Sequence, residues 1–152
     1  MTIQTKTVLK SYFETNDTPS QSNFVDLIDT MAALDSDDWK DYSTGSSVNG
    51  WSSFTNKDVW YRAIEDIIFV QFDFQGTSND TVVNFTVPFT QQSNVDLYGI
   101  TRGLDNAGSG HIGVSILGAS ATVVNCYVSG ALGAWTNTGV KKCAGQFWYK
   151  KA

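Results

Sequence analysis

The chain has 152 residues, of which 41% are hydrophobic, 13% aromatic and only 16% charged, with a formal net charge of −5. That length holds one or two small domains. The acidic balance argues against general nucleic-acid binding, the aromatic content against disorder, and the lack of any run of about 18 apolar residues against a membrane-spanning helix. The opening Met1-Thr2-Ile3-Gln4-Thr5-Lys6 lacks a signal peptide's apolar region, so no secretion route is expected.

The first predicted element is a short helix. Val8, Leu9, Tyr12 and Phe13 have helical spacing, with Thr5 or Thr7 as cap, and Glu14-Thr15-Asn16-Asp17 forms the turn after it. Thr18-Pro19-Ser20-Gln21 then reads as an N-cap, a proline at the first helical position and a Gln at N3. Phe24, Leu27, Ile28 and Met31 follow at i, i+3, i+4 and i+7, one apolar stripe over 18–33. The outline is an αα-hairpin. Two such helices cannot bury their own stripes. Phe24, Leu27, Ile28 and Met31 are therefore the candidate oligomerisation residues, meeting either the second domain or copies of themselves.

Residues 34–57 read as a linker. Asp35-Ser36-Asp37-Asp38 leads through Trp39 into a stretch rich in Ser, Gly and Asn that enters a sheet near Trp51. From Asp58 the period is two. Strands are expected at Val59–Ile64 and Ile67–Phe74, with Glu65-Asp66 as the turn between them. Ile68, Val70, Phe72 and Phe74 share one face; Gln71 and Asp73 take the other, which is wet. Gly76–Asp80 is a turn. Val83, Phe85 and Val87 share a face before Pro88 limits the ladder. Val95–Arg102, His111–Leu117 and Ala121–Ser129 follow, and Gln146-Phe147-Trp148-Tyr149 closes the chain. Loss of those last aromatics is expected to damage the core. Seven or eight short strands with Gly, Asn and Ser turns predict a mainly β fold: an antiparallel β-sandwich or jelly roll preceded by a short helical segment.

Charge divides the chain in the same place. Residues 1–45 carry the whole −5, and residues 46–152 are neutral. The expected units are a helical attachment or oligomerisation segment with its linker (1–45) and a β-sandwich knob (46–152).

The residues for catalysis are sparse, and no catalytic residue, metal site or cofactor is expected. His111 is the one histidine, with no nucleophile motif around it, and reads as a polar rim residue. Zinc-motif spacing among His111, Cys126 and Cys143 is absent. The two cysteines are either a pair across neighbouring strands or two buried free thiols. Glu65-Asp66 reads as a solvated turn rather than a glycosidase pair. Asp35-Ser36-Asp37-Asp38 lacks the EF-hand pattern, and the glycines from Gly99 to Gly118 lack a phosphate-loop lysine. Aromatics remain, since Trp and Tyr stack on sugars and anchor interfaces. Trp60 and Trp148 read as core or interface residues. Trp135, in a glycine-rich connection, is the candidate ligand-binding residue.

The stretch Leu9-Lys10-Ser11-Tyr12-Phe13-Glu14-Thr15-Asn16-Asp17-Thr18-Pro19-Ser20-Gln21, followed by Phe24-Val25-Asp26-Leu27-Ile28-Asp29, resembles the L-K-S-Y-F-E-T-G-D-x-P-T/S-Q-x-x-F-x-D-L-I-D opening of phage virion fibre and tail-associated proteins. Asn16 stands where glycine is common there. Trp60-Tyr61-Arg62, Ile67–Gln71, Gly76-Thr77-Ser78 and Gly145–Lys150 resemble their terminal β-domain. The resemblance implies a virion structural protein, as a head-fibre, capsid-decoration or tail-fibre component that forms a homotrimer and docks on other virion proteins of capsid or tail. The alternatives are a carbohydrate-binding module that recognises a host cell-surface glycan, and a small glycan hydrolase. Neither nucleic acid nor membrane insertion is expected.

Overall fold

The computed structural model describes residues 4–14, 18–35, 38–92, 94–106, 108 and 110–152. Asn16 and most of the expected turn at 14–17 lie outside them, as do Ser36 and Asp37 of the acidic run. The chain forms two compact units, Met1–Asp38 and Trp39–Ala152.

The first unit is a hairpin of α1 (Lys6–Ser11) and α2 (Gln21–Asp35). The Thr5 hydroxyl caps α1, accepting from the Val8 N–H at 3.3 Å. The second cap lies two residues beyond the expected one. The Ser20 N–H donates to Asn23 Oδ1 at 2.8 Å, and the Asn23 N–H reaches Ser20 Oγ at 3.3 Å. Ser20 and Asn23 are thus N-cap and N3, a reciprocal pair that Thr18 and Gln21 do not make, and Pro19 precedes the helix instead of opening it. The helices run antiparallel. The Gln4 N–H donates to Thr30 Oγ1, the Tyr12 hydroxyl to Asp26 Oδ2 at 3.0 Å, and the Phe13 and Phe24 rings meet edge to face at 5.8 Å.

The second unit is one antiparallel sheet of nine strands among the described residues: β1 (Lys40–Asp41), β2 (Val48–Asn49), β3 (Trp51–Ile64), β4 (Ile67–Ser78), β5 (Val83–Thr86), β6 (Leu97–Leu104), β7 (Gly110–Leu117), β8 (Val123–Tyr127) and β9 (Val140–Lys150). Their order is β1-β3-β4-β9-β6-β7-β8-β5-β2. The mainly β, antiparallel fold behind a short helical segment is the expected class. The sheet starts at Lys40, inside the expected linker. Two-residue strands in a Ser- and Gly-rich stretch carry no periodicity, so β1 and β2 leave no mark on the sequence.

Connectivity forces this sheet to roll. β2 pairs β5 at one end of the strand order while β3 lies near the other, yet only Gly50 separates them. The two ends therefore meet at this corner. Gly50 makes the turn at φ +114, where a Cβ would stand 2.9 Å from Val83 Cγ2. Rolling brings non-neighbouring strands face to face. Phe72 on β4 and Phe85 on β5 pack with centroids 4.6 Å apart and planes tilted by 41°, and Phe74, Phe147 and Trp51 surround them. Ile68, Val70, Phe72 and Phe74 are all buried, as are Val83, Phe85 and Val87. Cys126 and Cys143 are free, buried thiols in the same core.

Tyr149 closes the core and predicts a pH limit. Its buried hydroxyl donates to the Phe89 carbonyl at 2.9 Å, and burial pushes its pKa well above 10.0. Above pH 10 the unfolded chain releases this proton while the folded chain keeps it, so stability falls as pH rises. Tyr149→Phe should flatten that loss in urea titrations across the alkaline range. An unchanged slope would count against the buried phenol.

Candidate functional site

The outer face of the sheet carries the unusual residues. Along β9 the buried set is Lys141, Cys143, Phe147 and Tyr149, so Trp148 points outward and is 57% exposed. Along β6 the outward set is Tyr98, Ile100 and Arg102, with Tyr98 67% exposed. On β3 and β4 Trp60 and Phe69 face the same way. Trp60 and Trp148 are therefore not core residues, and their place in an interface is a matter for proposal.

Two recesses join on this face. β6 pairs β9 only over Thr101–Leu104, against Gly145 back to Lys142. Beyond that point the strands diverge and open a groove of about 1200 Å³. Its rim includes Tyr98, Ile100, Arg102, Ile112, Gln146 and Trp148. Gly145 has the inward parity of β9 and is required by close packing there, since a Cβ would meet the core ring of Phe72 at 2.9 Å and the Ile100 carbonyl at 3.0 Å. A smaller cleft of about 350 Å³ adjoins it, lined by Trp39, Asp58, Trp60, Gln71, Phe72 and Asp73. Gln71, Phe72 and Asp73 border both recesses.

Register explains the smaller cleft. Asp58 stands directly opposite Asp73 and Trp60 opposite Gln71, while Asp41 stands opposite Trp60. Trp39, two residues before Asp41, is thus a diagonal neighbour of Trp60 on the same face. Directly opposed carboxylates oppose folding unless something offsets them. Lys142 does so in part, its Nζ lying 3.0 Å from Asp73 Oδ2. Asp73 Oδ1 is buried and has no hydrogen-bond partner among the described residues. The pair has no local signature in the sequence, since the two acids lie fifteen positions apart and the hairpin at Glu65-Asp66 brings them together.

Of the residues the sequence points to, Trp60, Trp148 and His111 border these recesses, and Trp135 and the α2 stripe do not. Phe24, Ile28 and Met31 are exposed on α2, with Ile28 at 63% and Met31 at 61%, and Leu27 is half-buried. Trp135 is 2% exposed, and its indole N–H donates to the Cys126 carbonyl at 2.8 Å. It is a core side chain in this fold, and it borders a small recess of about 150 Å³ together with Leu132, Ala134 and Tyr127. His111 is exposed at the end of the larger groove, opposite Gly103. Glu65 and Asp66 are an exposed hairpin turn. Among the described residues no group of three or more His, Cys, Asp or Glu side chains is arranged to hold a metal ion.

No protein-family model matches the chain, and no curated protein sequence does. Among solved structures, the reovirus attachment protein sigma1, crystallised in complex with alpha-2,3-sialyllactose, aligns with a TM-score of 0.39 and 12% identity. The alignment covers 70% of this chain and 67% of that one.

Proposed function

We propose that the chain is a viral attachment or fibre-type protein whose β-unit recognises a host receptor, with a cell-surface glycan as its ligand. The observation that carries this reading is the outer face of β3, β4, β9 and β6. It exposes Trp60, Trp148 and Tyr98 beside Gln71, Gln146, Asp73 and Arg102. Exposed indoles and phenols set among hydrogen-bonding groups offer what a sugar needs, an apolar face to stack on and polar edges to satisfy hydroxyls. The reading is non-enzymatic, since the recesses on this face are open to solvent rather than enclosed. Labelled protein should bind host cells, and the triple variant Trp60→Ala, Tyr98→Ala and Trp148→Ala should lose at least tenfold in affinity while melting as the parent does. Equal binding by the folded variant would refute the assignment of this face.

A second reading concerns assembly. The exposed Phe24, Ile28 and Met31 on α2, together with the resemblance of the opening segment to phage fibre proteins, support a homotrimer held through the helical unit. In it three stripes meet on an axis and Asp29 stays outside. Leu27→Asp with Ile28→Asp should convert trimers to monomers in a solution mass measurement. Docking on capsid or tail would place the acidic segment against a basic particle surface, so attachment should weaken with added salt.

A further inference from the structure

The smaller cleft has a ligand chemistry of its own. Its walls are two indoles, Trp39 and Trp60, and its polar lining is Asp58, Asp73 and Gln71. Hydrogen-bond acceptors dominate this lining. Asp58 stands directly opposite Asp73, so two carboxylates meet at the cleft; Asp73 is 35% exposed at its side chain although its Oδ1 is buried. Ionised carboxylates accept and do not donate, so the lining favours a ligand that brings O–H donors. Two carboxylates also set the sign of what can enter. An anionic sugar would meet both at close range, and at contact distance each like-charge pair opposes binding. A compact cation is disfavoured by Lys142, whose Nζ already holds Asp73 Oδ2 at 3.0 Å. A cation cage would further need aromatic walls on more sides than these two indoles provide. The volume, about 350 Å³, is at the lower end for ligand pockets and suits one ring rather than an extended chain.

We infer that Trp39, Trp60, Asp58 and Asp73 form a subsite for one neutral pyranose, which stacks on the indoles and donates hydroxyls to the carboxylate of Asp58, with Asp73 and Lys142 beside it. This deepens the receptor reading and rests on it. Gln71 is shared with the larger groove. It links this subsite to the Trp148 and Tyr98 end, where the rest of a branched or longer glycan would lie.

The test uses the full chain on immobilised neutral oligosaccharides ending in glucose, galactose or N-acetylhexosamine, on sialylated oligosaccharides and on phosphocholine. Binding to a neutral sugar is expected, with a loss of tenfold or more in Trp60→Ala and in Asp58→Asn and little dependence on salt. Both side chains face outward, so both variants should stay folded, with Asp58→Asn melting at or above the parent because the opposed carboxylates lose their repulsion. Binding confined to sialylated sugars or to phosphocholine would overturn the ligand class while leaving receptor recognition standing. Neutral-sugar binding that survives in Trp60→Ala and Asp58→Asn but is lost in Trp148→Ala would overturn the subsite and keep the face. Cleavage of the bound sugar, seen as new reducing ends, would overturn the binding-only role of Asp58 and Asp73. A chain that binds host cells but none of these probes would overturn the subsite alone, and one that binds neither would overturn both readings.

Discussion

Trp135→Ala is expected to lower the unfolding free energy of the β-unit by about 3–5 kcal/mol, the cost of emptying a large aromatic site in a packed core. The indole is enclosed, and its ring takes part in the same cluster as Cys126 and Cys143. Three contacts hold it. Its side-chain N–H donates to the Cys126 carbonyl, its backbone N–H to the Thr81 carbonyl at 3.1 Å, and Lys141 Nζ lies 5.6 Å from the ring centroid. Trp135→Phe fills most of the space but leaves the Cys126 carbonyl without its donor, for a loss of about 1–3 kcal/mol. Urea titrations of the two variants should rank them in that order. Glycan binding by the fraction that remains folded should match the parent, because the ring does not reach the surface. A midpoint unchanged in Trp135→Ala would contradict the core placement.

Lys141→Ala is expected to cost about 2–3 kcal/mol, the scale of hydrogen bonds made by a charged donor. The lysine side chain is fully buried on the inner face of β9. Its Nζ donates to the Asp80 carbonyl at 2.8 Å and to the Gly50 carbonyl at 3.2 Å. Trp51 and Trp135 lie beside it with centroids at 5.2 and 5.6 Å. Burial pulls the amine's pKa below its usual 10.5, and the carboxylates of Asp105 and Asp80 pull it partly back. The group thus ties the Gly50 corner, where the two ends of the sheet meet, to the turn before β5. Lys141→Met restores the stem but not the donor, so it should recover the packing share of the loss and leave the two carbonyls unmatched. Equal stability of Lys141→Met and the parent would show that the two hydrogen bonds contribute nothing net.

The same two residues show why part of this fold is illegible in the sequence. β9 runs from Val140, yet only the Gln146–Tyr149 stretch near its end reads as a strand. Its first inward position is a lysine, which breaks the apolar alternation although the geometry continues. Trp135 sits in a glycine-rich connection that carries no period, so its burial is invisible locally. Trp148 illustrates a different limit. In Gln146-Phe147-Trp148-Tyr149 three aromatics follow one another, and alternation then has no phase to reveal which of them faces out. Where a polar residue alternates with apolar ones, as at Gln71 and Asp73 in β4, the buried set is legible, and Ile68, Val70, Phe72 and Phe74 lie where it says. The two-residue shift of the α2 cap has a similar cause: Thr18 and Ser20 both suit a cap, and only the side-chain exchange with Asn23 separates them.

The class of each part is written in the chain. Helical spacing, a period of two and turn residues specify an acidic helical hairpin followed by a neutral antiparallel β-unit, because these are short-range patterns that local sterics and solvent impose on neighbouring residues. The strand order, the rolling of the sheet at Gly50 and the face taken by each tryptophan come only from the folded whole. So does the meeting of Trp39, Asp58, Trp60 and Asp73 on one surface. Those facts depend on which strands pair and in what register, and pairing is set by burial of the whole core rather than by any segment within it.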